Sequence, residues 1–451
     1  MGRKKLKLVF AFSICFTFLL SMQNSLAQKE GYSLKDALNY GLDHSPYVTI
    51  SNNQLSEALY DKREAYSPYL PQINGSAEHD YNAKLPITVI PGGFLGPDEI
   101  RMKMGLAHSN SATIRLEQKI YDQKAIVGIK AMKDLDKKAK YTSKETMQSF
   151  VYNTAMLYYQ VLTINQKVKL LEANKEQYSK LVDILKLQLQ KGVIKTIDFK
   201  RVQVSYNNTT SQLLQIKTAK DVALNQLKVM IGMPMSDSLK LEDNDKQLSS
   251  ITAPQIEPIN ISNRTDYQMD QLIYRLQVIN TKAIKYAYLP KLSFFAQYGA
   301  NSYANDFNES FHQFNDFSTI GLKLTVPIFN GLQVNTAYHK QKLLLQNLAA
   351  QNKIKTENYK IDFLNAQTKI KSAYSDYQNN KRNLNLAKEV YDVTSLSYQK
   401  GASTLSDFLN ADFNYKQAQN NYTNAIIQYL SSRLDYEKAK GNLLNYFNIQ
   451  K

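Results

Sequence analysis

Hydrophobic and polar positions alternate strictly in four short stretches of the chain. Over residues 72–81, Ile73, Gly75, Ala77, His79 and Tyr81 fall on one side, and Gln72, Asn74, Ser76, Glu78 and Asp80 on the other. Around 112–121, Ala112, Ile114, Leu116 and Ile120 oppose Thr113, Arg115, Glu117 and Lys119. Over 291–301, Leu292, Phe294, Ala296 and Tyr298 oppose Lys291, Ser293, Gln297 and Asn301. Over 319–328, Ile320, Leu322, Leu324, Val326 and Ile328 oppose Thr319, Gly321, Lys323 and Thr325. A period of two predicts strands with one apolar and one polar face, at about 70–82, 111–121, 290–302 and 318–329.

Between these stretches the period changes. From about Ala125 to Gln190 there is no proline and a single glycine, Gly128. Val161, Ile164, Val168, Leu171, Lys175, Tyr178, Val182, Leu185 and Leu189 follow alternating steps of three and four, a heptad seam broken by Lys175. At ~1.5 Å per residue, roughly 65 residues of helix reach ~100 Å. Past Gly192 the chain is expected to return as a helix to about Ile231. The second half repeats this from Leu332 to Gln399 and from Leu405 to Lys440. Gly192 and Gly401 stand where a glycine closes a helix. Asp198 and Asp407 stand near the start of the returning helix, where the helix dipole favours a carboxylate.

The order of landmarks is the same in both halves. Gln190-Lys191-Gly192, five residues and Asp198-Phe199 recur as Gln399-Lys400-Gly401, five residues and Asp407-Phe408. The same offset pairs Asp183 with Asp392, Tyr206 with Tyr415 and Gly232 with Gly441. Tyr69-Leu70-Pro71 matches Tyr288-Leu289-Pro290, Thr113-Ile114 matches Thr319-Ile320, and Ile120-Tyr121-Asp122 matches Ile328-Phe329-Asn330. Several matches in one order point to an internal duplication. The expected repeats are 28–232, with a hairpin at 125–231, and 263–447, with a hairpin at 332–440. A connecting segment at 233–262 lies between them.

Each strand has about the ~9–11 residues that a tilted strand needs to cross a bilayer. Four strands in a membrane must have their edges closed, and the smallest closed barrel has ~8. Spanning strands therefore require several copies in one barrel, and sequence physics alone permits two, three or more. Residues 1–27 are consistent with export. A basic start (Arg3, Lys4, Lys5, Lys7) precedes an apolar run from Leu8 to Leu20 and Ser25-Leu26-Ala27. About 13 apolar residues are short of the ~20 of a spanning helix. The only cysteine, Cys15, lies in this leader, so the mature chain is expected to have no disulfide and no thiol chemistry.

Loss of the leader removes four basic and no acidic residues, taking the formal net charge from +17 to +13. The lysines are spread among acids along helical segments without a dense basic stripe, so nucleic acid is not an expected partner. The five histidines, His44, His79, His108, His312 and His339, show no metal-ligand spacing. There is no phosphate loop and no nucleophile elbow. Neither an enzyme nor a cofactor is expected. A periplasmic adaptor or a structural coiled-coil protein is the alternative. An adaptor would carry one hairpin flanked by small β domains, and this chain has two.

Strand pairs and long hairpins duplicated after a leader, with Gly-x5-Asp at each tip, resemble the TolC-like outer membrane efflux proteins. Tyr32-Ser33-Leu34-Lys35-Asp36-Ala37-Leu38 is similar to that family's first helix. Ile120-Tyr121-Asp122 and Pro327-Ile328-Phe329-Asn330-Gly331 are similar to its strand-to-helix junctions. Leu85-Pro86 through Ile90-Pro91-Gly92-Gly93-Phe94 corresponds to a first external loop. The resemblance implies a mostly α fold with membrane β strands: a trimer whose 12 strands form one barrel in outer-membrane lipid, continued by a periplasmic coiled-coil helical barrel. It implies an exit channel for tripartite efflux or type I secretion. Gly192, Val193, Gly401 and Ala402 would then meet a periplasmic adaptor and inner-membrane pump. Asp407 matches the first aperture aspartate, and the second falls on Asn410. Asp198 and Tyr398 match two members of the closing links, whose arginine falls on Ser403.

Overall fold

The computed structural model describes residues 31–91, 98–242 and 251–449. The leader and the Gly92-Gly93-Phe94 part of the expected loop lie outside the described residues. The chain divides into two compact units. Asn53–Ser143 and Asp266–Thr356 make one, and the rest of the described chain makes the other.

Among its described residues the first unit carries six strands: β1 (Gln72–Tyr81), β2 (Ile87–Ile90), β3 (Ile100–Lys103), β4 (His108–Tyr121), β5 (Lys291–Ala304) and β6 (Asn315–Thr325). β2 and β3 pair with each other in a separate two-stranded sheet. The other four form one antiparallel sheet in the order β1-β4-β5-β6, joining the two halves of the chain through β4 and β5. β1 and β6 are its edges, and among the described residues their outer backbone groups have no strand to pair with.

Register sorts the side chains. Ile73 stands across from Leu116, Ile114 from Tyr298, and Ala296 from Ile320. This face presents its largest apolar side chains outward, with Ile73 67%, Ile320 74% and Leu322 65% exposed. The other face carries Arg115, Glu117, Gln297, Thr319 and Lys323. Two aromatic rings also stand there, Phe295 opposite Gly321 and Phe317 opposite Gly299. A Cβ on either glycine would come within 2.9 or 2.8 Å of the ring, so the rings lie directly on the glycine backbone. β6 stops at Thr325 although Val326 and Ile328 continue the alternation, because Pro327 has no N–H to give a ladder.

Eight α-helices are present among the described residues: α1 (Leu34–His44), α2 (Pro46–Tyr66), α3 (Gln123–Gln190), α4 (Thr196–Ile231), α5 (Thr265–Lys285), α6 (Gln333–Gln399), α7 (Leu405–Ala439) and α8 (Leu443–Tyr446). None is long and apolar enough to cross a membrane. The second unit is built around helical contacts. Ala37 of α1, Tyr158 and Val161 of α3, and Leu227 and Ile231 of α4 share one buried cluster. Phe363 and Ile370 of α6 pack with Tyr429 and Tyr436 of α7 in another.

Tyrosine is abundant because its body fills these seams while its hydroxyl fixes non-helical chain. Tyr158 donates to Tyr32 O at 3.1 Å, and Tyr429 to Thr252 O at 2.8 Å. Tyr436 accepts from Glu257 N at 3.0 Å. The seam departs from its sequence reading at one point. Leu171 and Lys175 are half-buried, and Asn174 is the buried residue between them. Its amide donates to Gln419 Oε1 of α7 at 3.3 Å, so a polar pair occupies the break.

Both halves end their helices with the same backbone device. Gly192 has φ +72° and Gly401 φ +75°. Val193 N donates to Gln188 O and Gly192 N to Leu189 O, and Ala402 N and Gly401 N repeat this to Ser397 O and Tyr398 O. These are paired 6→1 and 5→2 closures, and Gly232 and Gly441 repeat them at the ends of α4 and α7. A Cβ at Gly192 meets nothing within 4 Å, whereas at Gly232 it would lie 2.3 Å from His44 O. Gly192→Ala should cost about 1–2 kcal/mol from backbone handedness alone. Gly232→Ala should lower the thermal midpoint of the helical circular-dichroism signal distinctly further, and equal shifts would contradict this packing.

Candidate functional site

The hairpin tips are short. Between α3 and α4 lie five residues, and between α6 and α7 another five, each opened by its glycine closure. Gly192, Val193, Gly401 and Ala402 are all exposed, Val193 at 69%.

The two returning helices start differently. α7 opens with a full capping box. Thr404 Oγ1 accepts from Asp407 N at 3.1 Å, and the Asp407 carboxylate accepts from Thr404 N at 3.1 Å and from its hydroxyl at 2.6 Å. The Ser33–Asp36 pair opens α1 in the same way. α4 follows Lys195 at its cap position without a side-chain cap, so Asp198 keeps its carboxylate free of that task. The Thr404 hydrogen bonds hold the Asp407 carboxyl below its usual range, and Asp407 is exposed. A lowered folded value means this contribution is present above the ordinary carboxylate range. It fades as pH falls through the lowered value, so at neutral pH Asp407 is an anion. Asn410, one turn further on, is also exposed.

Tyr398 is half-buried, and its ring stacks on Phe408 with centroids 5.5 Å apart. Burial raises its hydroxyl pKa, and the charge of Asp198 adds to the rise. Asp198 therefore lies near Tyr398, while the ring's main contact is aromatic. Ser403 donates to Thr394 O at 3.4 Å and serves to close α6.

Beside these residues a cleft of about 770 Å³ opens between the two hairpin ends. Leu181, Leu185, Tyr391, Tyr398 and Phe408 give it apolar walls, with Asp412 among them. Asp412 is buried, at 5% exposure. Its carboxylate accepts a short hydrogen bond from Tyr178 of α3 and another from Lys416 Nζ at 2.9 Å. The same ammonium sits 3.5 Å from the centre of the Tyr178 ring. Burial lowers the Lys416 pKa, and Asp412 opposes that shift. Burial and then Asp412 raise that of Tyr178, and push Tyr391 up to about 12.

This three-residue node is what sequence reasoning missed. Tyr178 counted only as a seam position. The available signal was Asp412 in the stripe Leu405, Phe408, Asp412, Gln419 and Thr423, where an acid interrupts an apolar helix face. The node joins α3 to α7 through one carboxylate, so its two ends differ in cost. Tyr178→Phe removes one donor and leaves Lys416 paired, about 1.5–3 kcal/mol. Asp412→Ala leaves the buried Tyr178 hydroxyl and the half-buried Lys416 ammonium without their shared acceptor, which costs more than the loss of one donor. The thermal midpoint of the helical signal should fall further for Asp412→Ala, and the reverse order would contradict the assignment of Asp412 as the shared acceptor.

The arrangement has counterparts. The family model "Outer membrane efflux protein" matches residues 41–233 and 280–442, one block in each half. Outer membrane protein TolC of Escherichia coli (strain K12) is 22% identical over 420 residues, covering 87% of this chain and 80% of that protein. Alkaline protease secretion protein AprF of Pseudomonas aeruginosa is 19% identical over 347 residues, covering 71% and 67%. The open-state structure of the Neisseria gonorrhoeae MtrE outer membrane channel superposes with a TM-score of 0.71 at 15% identity, covering 91% of this chain and 89% of that one. With both halves matched by one family model and the same fold in a solved channel, this chain belongs to the outer membrane efflux protein family: an outer-membrane channel protein for efflux or secretion, and not an enzyme.

Proposed function

We propose that three copies of this chain form one channel, sharing a barrel of twelve strands in the outer membrane and continuing it as a periplasmic tube of helices. The observation that carries this reading is the open sheet, with two unpaired edges and an exposed apolar face. In lipid an unpaired backbone group costs several kcal/mol, so β1 of one copy must meet β6 of the next. The polar face then lines water and the Ile73–Ile320 face meets acyl chains. The two repeats, 28–232 and 263–447, each contribute one strand pair and one hairpin to this plan.

The hairpin tips form the periplasmic entrance in this reading. Gly192, Val193, Gly401 and Ala402 contact a periplasmic adaptor, which links the channel to an inner-membrane pump that supplies the energy. Asp407 of each copy forms a ring of three carboxylates, and Asn410 a neutral ring beside it. Three like charges at a narrow aperture raise one another's pKa. The Thr404 cap works against that rise and keeps the ring anionic. Such a ring attracts cations. Ser403 offers no cation to Asp198, so closure here rests on Tyr398 near Asp198 together with the Tyr178–Asp412–Lys416 node.

In planar bilayers the purified protein should give a cation-preferring conductance, and Asp407→Ala should lower that preference while Thr404→Ala lowers it less. Unchanged selectivity in Asp407→Ala would remove the ring from the aperture, and no conductance from well-folded protein would contradict the channel.

A further inference from the structure

The chain between β5 and β6, residues 305–314, does not extend from the end of the sheet. It folds back onto one face of it. Asn110 and Ser302 of the last strand rows are buried there, at 5% and 0% exposure. The Asn110 amide donates to Ser310 O at 2.7 Å and to Ser310 Oγ at 2.9 Å. Its Oδ1 lies 2.6 Å from His79 Nδ1, which donates as the Nδ1–H tautomer. Two histidines far apart in sequence are stacked beneath this segment, His79 and His108, with centroids 5.4 Å apart. Phe311 stacks on His79 at 5.9 Å, and Phe307 meets both imidazoles edge-on at 5.2 and 5.8 Å. Tyr81 adds to the plate at 4.9 Å from His108. The segment is stiffened internally, since Asp306 Oδ1 accepts from Asn308 N and Ser310 donates to Phe307 O.

Register decides which face is covered. His79 pairs with Asn110 and Asn110 with Ser302, two steps of two from Gly75, Ile114 and Tyr298. The covered face is therefore the one that carries Ile114, Tyr298 and Ile320 outward. It is not the polar face of Arg115 and Gln297. Yet Phe307, Phe311 and Phe314 remain about half exposed, and Tyr81 more so. A loop closing over a water-filled lumen would cover the polar face and turn its aromatic rings inward.

We infer that residues 305–314 form a clasp that caps polar strand ends on the lipid-facing side and seats Phe307, Phe311 and Phe314 at the boundary between acyl chains and headgroups of the outer leaflet. This rests on the barrel reading above. Height agrees with it. From Leu292 to Ser302 is ten steps along the strand, ~34 Å at ~3.4 Å each. Tilted by ~40°, that is roughly 25 Å, the height of the apolar band of such barrels, so the clasp begins where the band ends. Its acids, Asp306 and Glu309, and Asp316 at the start of β6 fit the headgroup layer, beside which such barrels carry girdles of aromatic residues.

The chain contains no tryptophan, so a single introduced one reports its own position. Phe311→Trp, Ile320→Trp and Gln297→Trp, each in full-length protein reconstituted in phosphatidylcholine, are tested with lipid brominated near the headgroup or near the bilayer centre. Ile320→Trp should be quenched most by central bromines, Phe311→Trp most by bromines near the headgroup, and Gln297→Trp by neither. Adding Asn110→Ala to Phe311→Trp should abolish the shallow quenching and open the indole to aqueous iodide. If Ile320→Trp is not quenched, the barrel reading itself fails and the clasp with it. If Ile320→Trp is quenched while Phe311→Trp answers to iodide alone, the barrel stands and the clasp is overturned. Full lipid quenching that persists with Asn110→Ala overturns the holding role given to Asn110.

Discussion

Every backbone N–H and C=O that enters hydrocarbon must have a partner, and this one constraint organises the protein. Four antiparallel strands satisfy three ladders and leave two edges open, on β1 and β6. A soluble protein would blunt those edges with charge or bury the apolar face under a second layer. Here the apolar side chains of that face stay exposed. The edge problem is therefore one that a single chain cannot solve, and its solution in the proposed channel is another copy of the same chain.

The helical part obeys a gentler rule. Its long helices pair through buried apolar clusters, while a few polar contacts fix register and tyrosines tie connecting chain to the bundle. Asn174 with Gln419, and Asp412 with Tyr178 and Lys416, are such contacts across two helices from different halves of the chain. An apolar seam alone would tolerate sliding, whereas a buried carboxylate with two donors does not. The same carboxylate lines the cleft at the hairpin tips.

The strands, long helices and glycine closures were legible in the sequence because each is a local pattern: a period of two, a heptad, a glycine needing positive φ. The capping role of Asp407 followed from its place at a helix start, although Thr404 as its partner did not. What was not legible depends on contacts between distant segments. His79 and His108 looked scattered because only the β1–β4 register brings them together. Lys175 looked like the break in the seam, but the buried polar residue is Asn174, which has a partner across the interface while a lysine at 175 can reach water. Tyr178 looked like a packing residue because its hydroxyl partner lies more than two hundred positions away.

If open edges decide the assembly, the number of chains per particle is the quantity on which the account stands. Mature protein extracted from outer membranes in mild detergent can be weighed by light scattering with the detergent contribution subtracted. Three chains per particle are expected, stable until the helical and sheet signals are lost together. A stable particle of one chain with an intact sheet signal would contradict it, because four strands cannot hide their own edges.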